Sequence, residues 1–423
     1  MTTIIILVFV LGYVAIAFEH PLRLNKAASA LITGVLCWTI YIIQSNSAEK
    51  VNEDLLHHLG EIASILFFLL GAMTIVELID THNGFEIITQ RIKTTNKRVV
   101  LIIVIVLTFF LSALLDNLTT AIVMTSLCSK LISVKEDRLW FVGMVVIAAN
   151  AGGAWSPLGD VTTTMLWIGK QITAFNVIKM LILPSLVVCI VPALIILPKF
   201  KGRTIASLPA MDITEQERRG GKIILLSGVS FLVFVPVFKT LTHLPPFMGM
   251  LLAMGLMWVI TTIIHRNEGE TYKERYAVAR ALEKVDTSSI LFFLGILLAV
   301  AALQSIGILN QLATYLTNTL KNDYLIGIAL GMLSAIVDNV PLVAASQGMY
   351  DLNTYPTDHP FWEFLALTTG TGGSAIIIGS AAGVAAMGIE KINFIWYLKK
   401  ISWLALIGFA AGILVFMLQI TFF

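Results

Sequence analysis

Long apolar runs separated by short polar loops dominate the chain and predict membrane-spanning helices. A helix needs about 20 residues to cross a bilayer. Ten runs reach or approach that length, at residues 3–18, 27–43, 61–80, 139–168, 177–197, 222–238, 247–264, 287–305, 361–388 and 401–421. Two further runs, 98–133 and 324–349, each carry an acidic residue and an amide near the middle. The pattern predicts an all-α polytopic membrane protein.

Both of these further runs are interrupted by the same short motif. In SALLDNLTTA, residues 112–121, Asp116 is the only charged side chain and Asn117 follows it. In SAIVDNVPLV, residues 334–343, the spacing Ser-x-x-x-Asp-Asn returns. Charge is costly at membrane depth, so an intramembrane carboxylate indicates an ion, proton or substrate path. A pair of polar residues that only pack helices together is the alternative interpretation.

Composition supports the membrane assignment and adds little about partners. The chain has 423 residues, of which 57% are hydrophobic and 13% are charged, whereas soluble domains contain about 25% charged residues. The net charge of +2 favours no class of partner, nucleic acid included. The three cysteines all lie in apolar runs, so neither a disulfide framework nor a metal framework is indicated, and we expect no cofactor.

Basic residues in the loops orient the runs, because cytoplasmic loops are enriched in Lys and Arg. The basic clusters lie within residues 23–26, 91–98, 130–138, 199–222, 266–284 and 391–400. All can face the cytoplasm only if run 98–133 enters and leaves on that side, as a re-entrant hairpin with Asp116 near its tip. A straight helix over residues 99–129, in which Asp116 is the one charged residue, would be about 46 Å long, against a hydrocarbon core of about 30 Å. Run 324–349 has acidic flanks and is expected to enter from outside, with Pro341 at the break.

The hairpins belong to an internal repeat. SILFFL occurs at 64–69 and at 289–294, each time opening the span before a hairpin. A glycine-broken run follows each hairpin, ANAGGAWSPLGD at 149–160 and TGTGGSAIIIGS at 369–380. Similar sequence in opposite membrane orientation marks an inverted-repeat secondary transporter. The expected division is an N-terminal half at 1–197, a cytoplasmic linker at 198–221 and a C-terminal half at 222–423.

Two hairpin tips and two broken helices are expected to converge on one site. Backbone carbonyls freed at the breaks, with carboxylate and hydroxyl oxygens, suit a dehydrated hard cation. Asp160 aligns with Ser380, so the first half carries two carboxylates and the second carries one, which favours a cation or cation–proton exchange over an anion. The candidate site residues in the first half are Ser112, Asp116, Asn117, Thr119, Thr120, Asn150, Ser156, Asp160, Thr162, Thr163 and Thr164. Those in the second half are Ser334, Asp338, Asn339, Thr369, Thr371, Ser374 and Ser380. The structural alternatives are that the threonines bond only to helix carbonyls and that the glycines only permit close packing of helices.

LLDNLTTA, NAGGAWSPLGDVTTTMLW, the second Asp-Asn pair and TGGSAIIIGSAAG resemble the NhaD-type sodium/proton antiporters of the ion transporter superfamily, over nearly the whole chain. The resemblance implies opposed hairpins in two inverted repeats, a homodimer and elevator-like movement of a transport domain against a scaffold. The family's functional positions match Asp116, Asn150, Asp160, Thr162, Thr163, Ser334, Asn339 and Ser374. Na⁺ is expected at Asp116, Asp160, Asn150 and Thr162. Leu115 and Ile377 depart from the family, which often has an acid or polar residue and a serine there.

The sequence therefore predicts a Na⁺(Li⁺)/H⁺ antiporter of the prokaryotic plasma membrane that exports sodium. Within the superfamily the alternative is a sodium-coupled carrier of dicarboxylate, citrate or arsenite, although such carriers commonly show Ser-Asn-Thr at the tips. An intramembrane aspartyl protease would use two aspartates as an acid/base dyad. Its Gly-x-Gly-Asp motif is absent, since residues 157–160 read Pro-Leu-Gly-Asp. A purely structural membrane protein is the remaining alternative.

Overall fold

The computed structural model describes residues 2–17, 19–45, 47–89, 94–202, 204, 215–266, 269, 276–336 and 338–422. These residues form α-helices joined by short turns. In the ranges just given, β-type pairing is limited to one isolated bridge between Asn96 and Thr204. The all-α class predicted from the apolar runs is confirmed.

The first half of the chain folds into helices that follow the predicted runs. They are α1 (Thr2–Ala17), α2 (Glu19–Leu22), α3 (Lys26–Gln44), α4 (Ala48–Thr81), α5 (Gly84–Thr89), α6 (Lys97–Leu115), α7 (Asn117–Leu131), α8 (Lys135–Ala154), α9 (Val161–Ile168) and α10 (Ala174–Ile196). A short 3₁₀ helix, Leu197–Phe200, follows α10. This 3₁₀ helix overlaps the start of the predicted linker, 198–221. Residues 203 and 205–214 of the linker lie outside the described ranges.

The second half starts inside that predicted linker, because its first helix begins at Glu215. Its helices are α11 (Glu215–Thr242), α12 (Pro246–Ile264), α13 (Val278–Lys284), α14 (Thr287–Ser305), α15 (Ile308–Leu320), α16 (Asp323–Leu333), α17 (Asn339–Met349), α18 (Pro360–Gly372), α19 (Ala381–Glu390), α20 (Phe394–Lys400) and α21 (Ser402–Phe422). A 3₁₀ turn, Ile377–Gly379, lies between α18 and α19.

Eight of the described helices are long and apolar enough to cross a membrane. They are α3, α4, α6, α10, α11, α12, α14 and α21. Seven match predicted spans, and the eighth, α6, is the first arm of the predicted hairpin. The prediction of about ten spans exceeds this number because α1 has only 16 residues and because runs 139–168 and 361–388 are each interrupted.

The helices pack into two groups. The scaffold group contains α1, α3, α4, α11, α12 and α14, and the hairpin group contains α6 to α10 with α16 to α21. Within the scaffold group α3 lies on α14, where a side chain on Gly34 would come within 2.6 Å of the Gly295 carbonyl oxygen. Glycine on both helices therefore allows the two backbones to touch. The groups meet where α4 lies against α9 and α14 against α17.

Helices α6 and α7 form a hairpin whose bend is Asp116. The backbone of Asp116 has φ +89°, a value uncommon outside glycine but tolerated by Asp, and it ends one helix while capping the next. At the other end of the hairpin, Lys97 Nζ donates to Asp137 Oδ2 at 2.7 Å, and both side chains are buried. Because Lys97 starts α6 and Asp137 follows α7, this ion pair holds the two ends of the hairpin together.

Helices α16 and α17 cover the second predicted hairpin, and both lie against α18. Helix α16 ends at Leu333 and α17 begins at Asn339, and the hydroxyl of Tyr355, beyond α17, donates to Asp323 Oδ1 at 2.7 Å at the start of α16. Pro341 lies in the first turn of α17 rather than at the break where the sequence suggested it. A proline is tolerated there because the first amides of a helix have no partner within it.

Candidate functional site

The bends of the two hairpins and the breaks of the two interrupted helices meet around Asp160. Helix α8 ends at Ala154 and α9 starts at Val161, and Asp160 is the N-terminal cap of α9. Its Oδ1 accepts hydrogen bonds from the Thr162 amide at 3.0 Å and from the Thr162 hydroxyl at 2.9 Å. Aspartate is a favoured cap because its oxygen satisfies an amide that the helix leaves unpaired. With only 2% exposure, this cap is also a buried carboxylate.

Asparagines from both hairpins donate to the same carboxylate. Asn117 Nδ2 lies 2.7 Å from Asp160 Oδ2, and Asn339 Nδ2 lies 3.3 Å from the same oxygen. Both asparagines are buried. The donors on Asp160 are therefore all neutral, so the charge of the carboxylate is left for a bound cation or a proton to balance.

Asn150 connects this carboxylate to the broken helix of the second half. Its Oδ1 accepts from Asn117 Nδ2 at 3.2 Å. Its Nδ2 donates to Ser374 Oγ at 2.8 Å and to Ser380 Oγ at 2.9 Å. The alignment of the two halves makes Ser380 the counterpart of Asp160, and in the structure Ser380 shares the partner Asn150 with Ser374. The four interrupted segments are thus joined by one buried network of neutral donors and one acid.

Asp116 and Asp338 cap helices at the hairpin bends. Asp116 Oδ1 accepts from the Thr119 amide and Oδ2 from the Thr119 hydroxyl, both at 2.8 Å. Asp338 accepts from the Val340 amide at 3.3 Å. Both aspartates are half-buried, whereas Asp160 is fully enclosed. The expected Na⁺ ligands are therefore divided: Asp160, Thr162 and Asn150 share the network, and Asp116 is hydrogen-bonded within its own hairpin.

The hydroxyls of two predicted site residues contact backbone carbonyl oxygens, and neither hydroxyl is hydrogen-bonded to Asp160. Ser334 Oγ contacts the carbonyls of Gly331 at 2.7 Å and Thr369 at 3.0 Å, which fastens the second hairpin to α18. The Thr163 hydroxyl lies 3.4 Å from the Ala154 carbonyl oxygen. Thr162 and Thr163 are adjacent and equally buried, yet their hydroxyls have different partners.

Sequence reasoning missed some residues that shape the site. The Tyr397 hydroxyl donates to the Ser374 carbonyl oxygen at 2.9 Å, and nothing in the local sequence of Tyr397 signals this contact. Leu115 and Ile377, which depart from the resembled family, are both buried among apolar side chains. At these two positions the chain has packing contacts instead of oxygen ligands.

Comparison with known proteins identifies the family. Residues 13–370 match the citrate transporter family, CitMHS. The chain belongs to this family. It is 48% identical to "Sodium/proton antiporter 1" of Arabidopsis thaliana, over 96% of this chain and 70% of that protein. It is 46% identical to "Sodium/proton antiporter 2" of the same plant, over 97% and 98% of the two chains.

The resemblance to NhaD-type antiporters is confirmed by a third relative. The chain is 30% identical to "Na(+)/H(+) antiporter NhaD" of Vibrio cholerae, over 98% of this chain and 91% of that protein. Among solved structures, the fold resembles that of MtrF from Neisseria gonorrhoeae with a TM-score of 0.52 and 12% identity. The match covers 98% of this chain and 94% of that one, and it bears on fold alone. The chain is thus a multi-pass membrane protein of a transporter family.

Proposed function

We propose that this chain exchanges Na⁺ or Li⁺ for protons across a membrane, with Asp160 at the centre of the site. The observation that carries the proposal is a single buried carboxylate that accepts hydrogen bonds from both hairpins and from its own broken helix, all from neutral donors. Relatives named as sodium/proton antiporters support the same reaction. A cation and a proton compete for these oxygens because each neutralises the same charge.

In the proposed cycle, binding of one ion requires release of the other. With Na⁺ bound, Asp160 is deprotonated, and Thr162 offers a hydroxyl oxygen that can donate to the carboxylate and accept a cation at once. With protons bound, Asp160 is neutral and is held by the asparagines of the two bends. Asp116 lies at the first bend and serves as a second titrating group. The two carboxylates hold a cation or protons, never both in full.

Alternating access is proposed to follow from movement of the hairpin group against the scaffold group, in the manner of an elevator. The hairpin group carries all the residues of the network, and it meets the scaffold at the α4–α9 and α14–α17 contacts. Matched hydrogen bonds support inverted repeats: Ser112 Oγ donates to the Ala149 carbonyl oxygen at 2.5 Å, and Ser334 Oγ to that of Thr369 at 3.0 Å. A homodimer and a prokaryotic inner membrane stay predictions, and two of the relatives are plant proteins.

The family description favours a second candidate, a sodium-coupled carrier of citrate or a similar anion. An anion of several negative charges needs positive or strongly donating groups around it. The network instead places Asp160 at its centre, and the side chains that bond to it are an alcohol and two amides. Cation–proton exchange is therefore the better fit to the site.

The test is proton flux in proteoliposomes containing a pH-sensitive dye. Addition of Na⁺ or Li⁺ is expected to release protons from the vesicles, while K⁺ and citrate without Na⁺ are expected to have little effect. Citrate uptake that depends on Na⁺, with no proton movement on adding Na⁺ alone, would favour the carrier of anions instead.

A further inference from the structure

The two halves make matched contacts around the site, which allows them to be compared residue by residue. Gly152 and Gly372 occupy equivalent positions in the broken helices. A side chain on Gly152 would lie 2.3 Å from the Phe109 carbonyl oxygen, and one on Gly372 would lie 2.0 Å from that of Gly331. Phe109 and Gly331 each stand seven residues before the aspartate of their hairpin bend. The alignment of 149–160 with 369–380 is therefore also a match of structural surroundings.

This correspondence pairs Asn150 with Gly370 and Asp160 with Ser380. The amide nitrogen of Asn150 sits between Ser374 Oγ and Ser380 Oγ, at 2.8 and 2.9 Å. In the other half, a Cβ on Gly370 would lie 3.1 Å from Ala154 Cβ and 3.9 Å from Asp160 Oδ2. Ala154 and Asp160 are the counterparts of Ser374 and Ser380. A side chain at Gly370 would therefore be directed at Ala154 and Asp160, but glycine places no group between them.

The chemistry of the two positions is complementary. On the Asn150 side the oxygens belong to neutral serines, and the hydrogens of a neutral amide satisfy them. On the Gly370 side the oxygen belongs to a carboxylate, and an amide from this position is missing. The carboxylate needs a positive partner when it is deprotonated, because a buried charge without one is unfavourable. A dehydrated Na⁺ beside Asp160 would balance the charge of the carboxylate, just as the Asn150 amide satisfies the serine oxygens by hydrogen bonds.

We propose that the chain binds one cation, and that this cation lies beside Asp160 at the position that corresponds in the repeat to the Asn150 amide nitrogen. In the other half the Asn150 amide itself occupies the matching position, so no second cation binds there. The inference rests on the proposed function and adds to it the number of cations and the residue that sets it. Gly370 becomes a specificity-determining position, because its lack of a side chain is what admits the ion. Asn150 becomes an internal substitute for a second cation.

The test compares Gly370→Asn with Gly370→Ala in purified protein. Both variants add the same Cβ against Ala154, and only asparagine brings an amide to Asp160. Isothermal titration with NaCl, at an ionic strength held constant with choline chloride, is expected to give one Na⁺ per wild-type chain. We expect Gly370→Ala to keep that binding within about tenfold and Gly370→Asn to weaken it on the order of 100-fold or more, since the amide occupies the place of the ion.

Folding is checked by the thermal unfolding midpoint in choline alone, where Gly370→Asn should match Gly370→Ala. If the asparagine variant is unstable, Ala154→Gly combined with Gly370→Asn removes the closest contact and repeats the comparison. Two Na⁺ per wild-type chain would overturn the inference, and so would a folded Gly370→Asn variant that binds Na⁺ as Gly370→Ala does. Wild-type protein that binds no Na⁺ would instead count against the proposed function.

Discussion

The hydroxyl of Thr162 gives the sharpest prediction for a single side chain. Thr162→Val keeps the shape of the side chain and removes the oxygen that lies 2.9 Å from Asp160 Oδ1. The group is fully buried, so water cannot easily replace the lost bond. A hydrogen bond to a charged group contributes about 1.5–3 kcal/mol. Because the Thr162 amide still donates to the same oxygen at 3.0 Å, the lower value applies, which corresponds to about a tenfold rise in the apparent Na⁺ Km.

The adjacent threonine is the matched control. Thr163 is equally buried, but its hydroxyl faces the Ala154 carbonyl oxygen at 3.4 Å and not the carboxylate. Thr163→Val should therefore leave the Na⁺ Km within about twofold of wild type, since the bond lost is long and neutral. The assay is sodium-dependent proton flux in proteoliposomes, with thermal unfolding to confirm that both variants fold. Equal shifts in the two variants, or no shift in Thr162→Val, would refute this reasoning.

Three further predictions concern topology and folding. A single cysteine at Ser133 should be labelled by a membrane-impermeant thiol reagent only from the cytoplasm, and one at Thr354 only from outside. Both positions are exposed, and labelling of both from one side would exclude opposed hairpins. Lys97→Met should lower the free energy of unfolding by about 1.5–3 kcal/mol, because it removes a charge-assisted hydrogen bond to the buried Asp137 carboxylate. Gly372→Ala should prevent stable folding, measured as loss of the monodisperse peak in size-exclusion chromatography, because the added carbon would lie 2.0 Å from a carbonyl oxygen.

Controls for the last two are available in the chain. Asp137→Asn combined with Lys97→Met also removes the negative charge of this buried side chain and should recover part of the stability lost in the single variant. Gly388→Ala should be tolerated, since, beyond its own helix, no atom of the described residues lies within 4 Å of its added carbon. If Gly388→Ala is as damaging as Gly372→Ala, the close approach at Gly372 is not the cause.

Much of the site could be predicted because its features are local in the sequence. The hairpin bend at Asp116 follows from one acid in a long apolar run, and the break before Asp160 follows from Gly, Pro and Gly within a few residues. The relation between Asp160 and Ser380 was visible from the alignment of the two halves. These inferences need only the pattern of apolar, polar and helix-breaking residues.

The direction of each side chain could not be predicted, because it depends on backbone geometry that the pattern does not encode. Thr162 and Thr163 look equivalent in sequence, yet only Thr162 contacts Asp160. Asp116 and Asp160 are both candidate carboxylates in the sequence, and the structure shows that Asp116 caps α7 through Thr119 whereas Asp160 also accepts from both hairpin asparagines. Nothing in the apolar pattern around Glu363 indicates that it is fully buried, with Oε1 accepting from Asn176 Nδ2 at 2.7 Å.

The central claim is that Na⁺ and protons compete for Asp160, and one measurement tests it most directly. Sodium-driven proton flux is recorded in proteoliposomes for wild type and Asp160→Asn, with Na⁺ titrated at several pH values. Competition requires the apparent Na⁺ affinity of wild type to strengthen with rising pH, by up to about tenfold per unit for one proton, and then to level off. Asp160→Asn can still cap α9 but cannot take up a proton or balance a cation, so it should show no exchange. Substantial exchange by Asp160→Asn, or a wild-type Na⁺ Km that does not change with pH, would contradict the account.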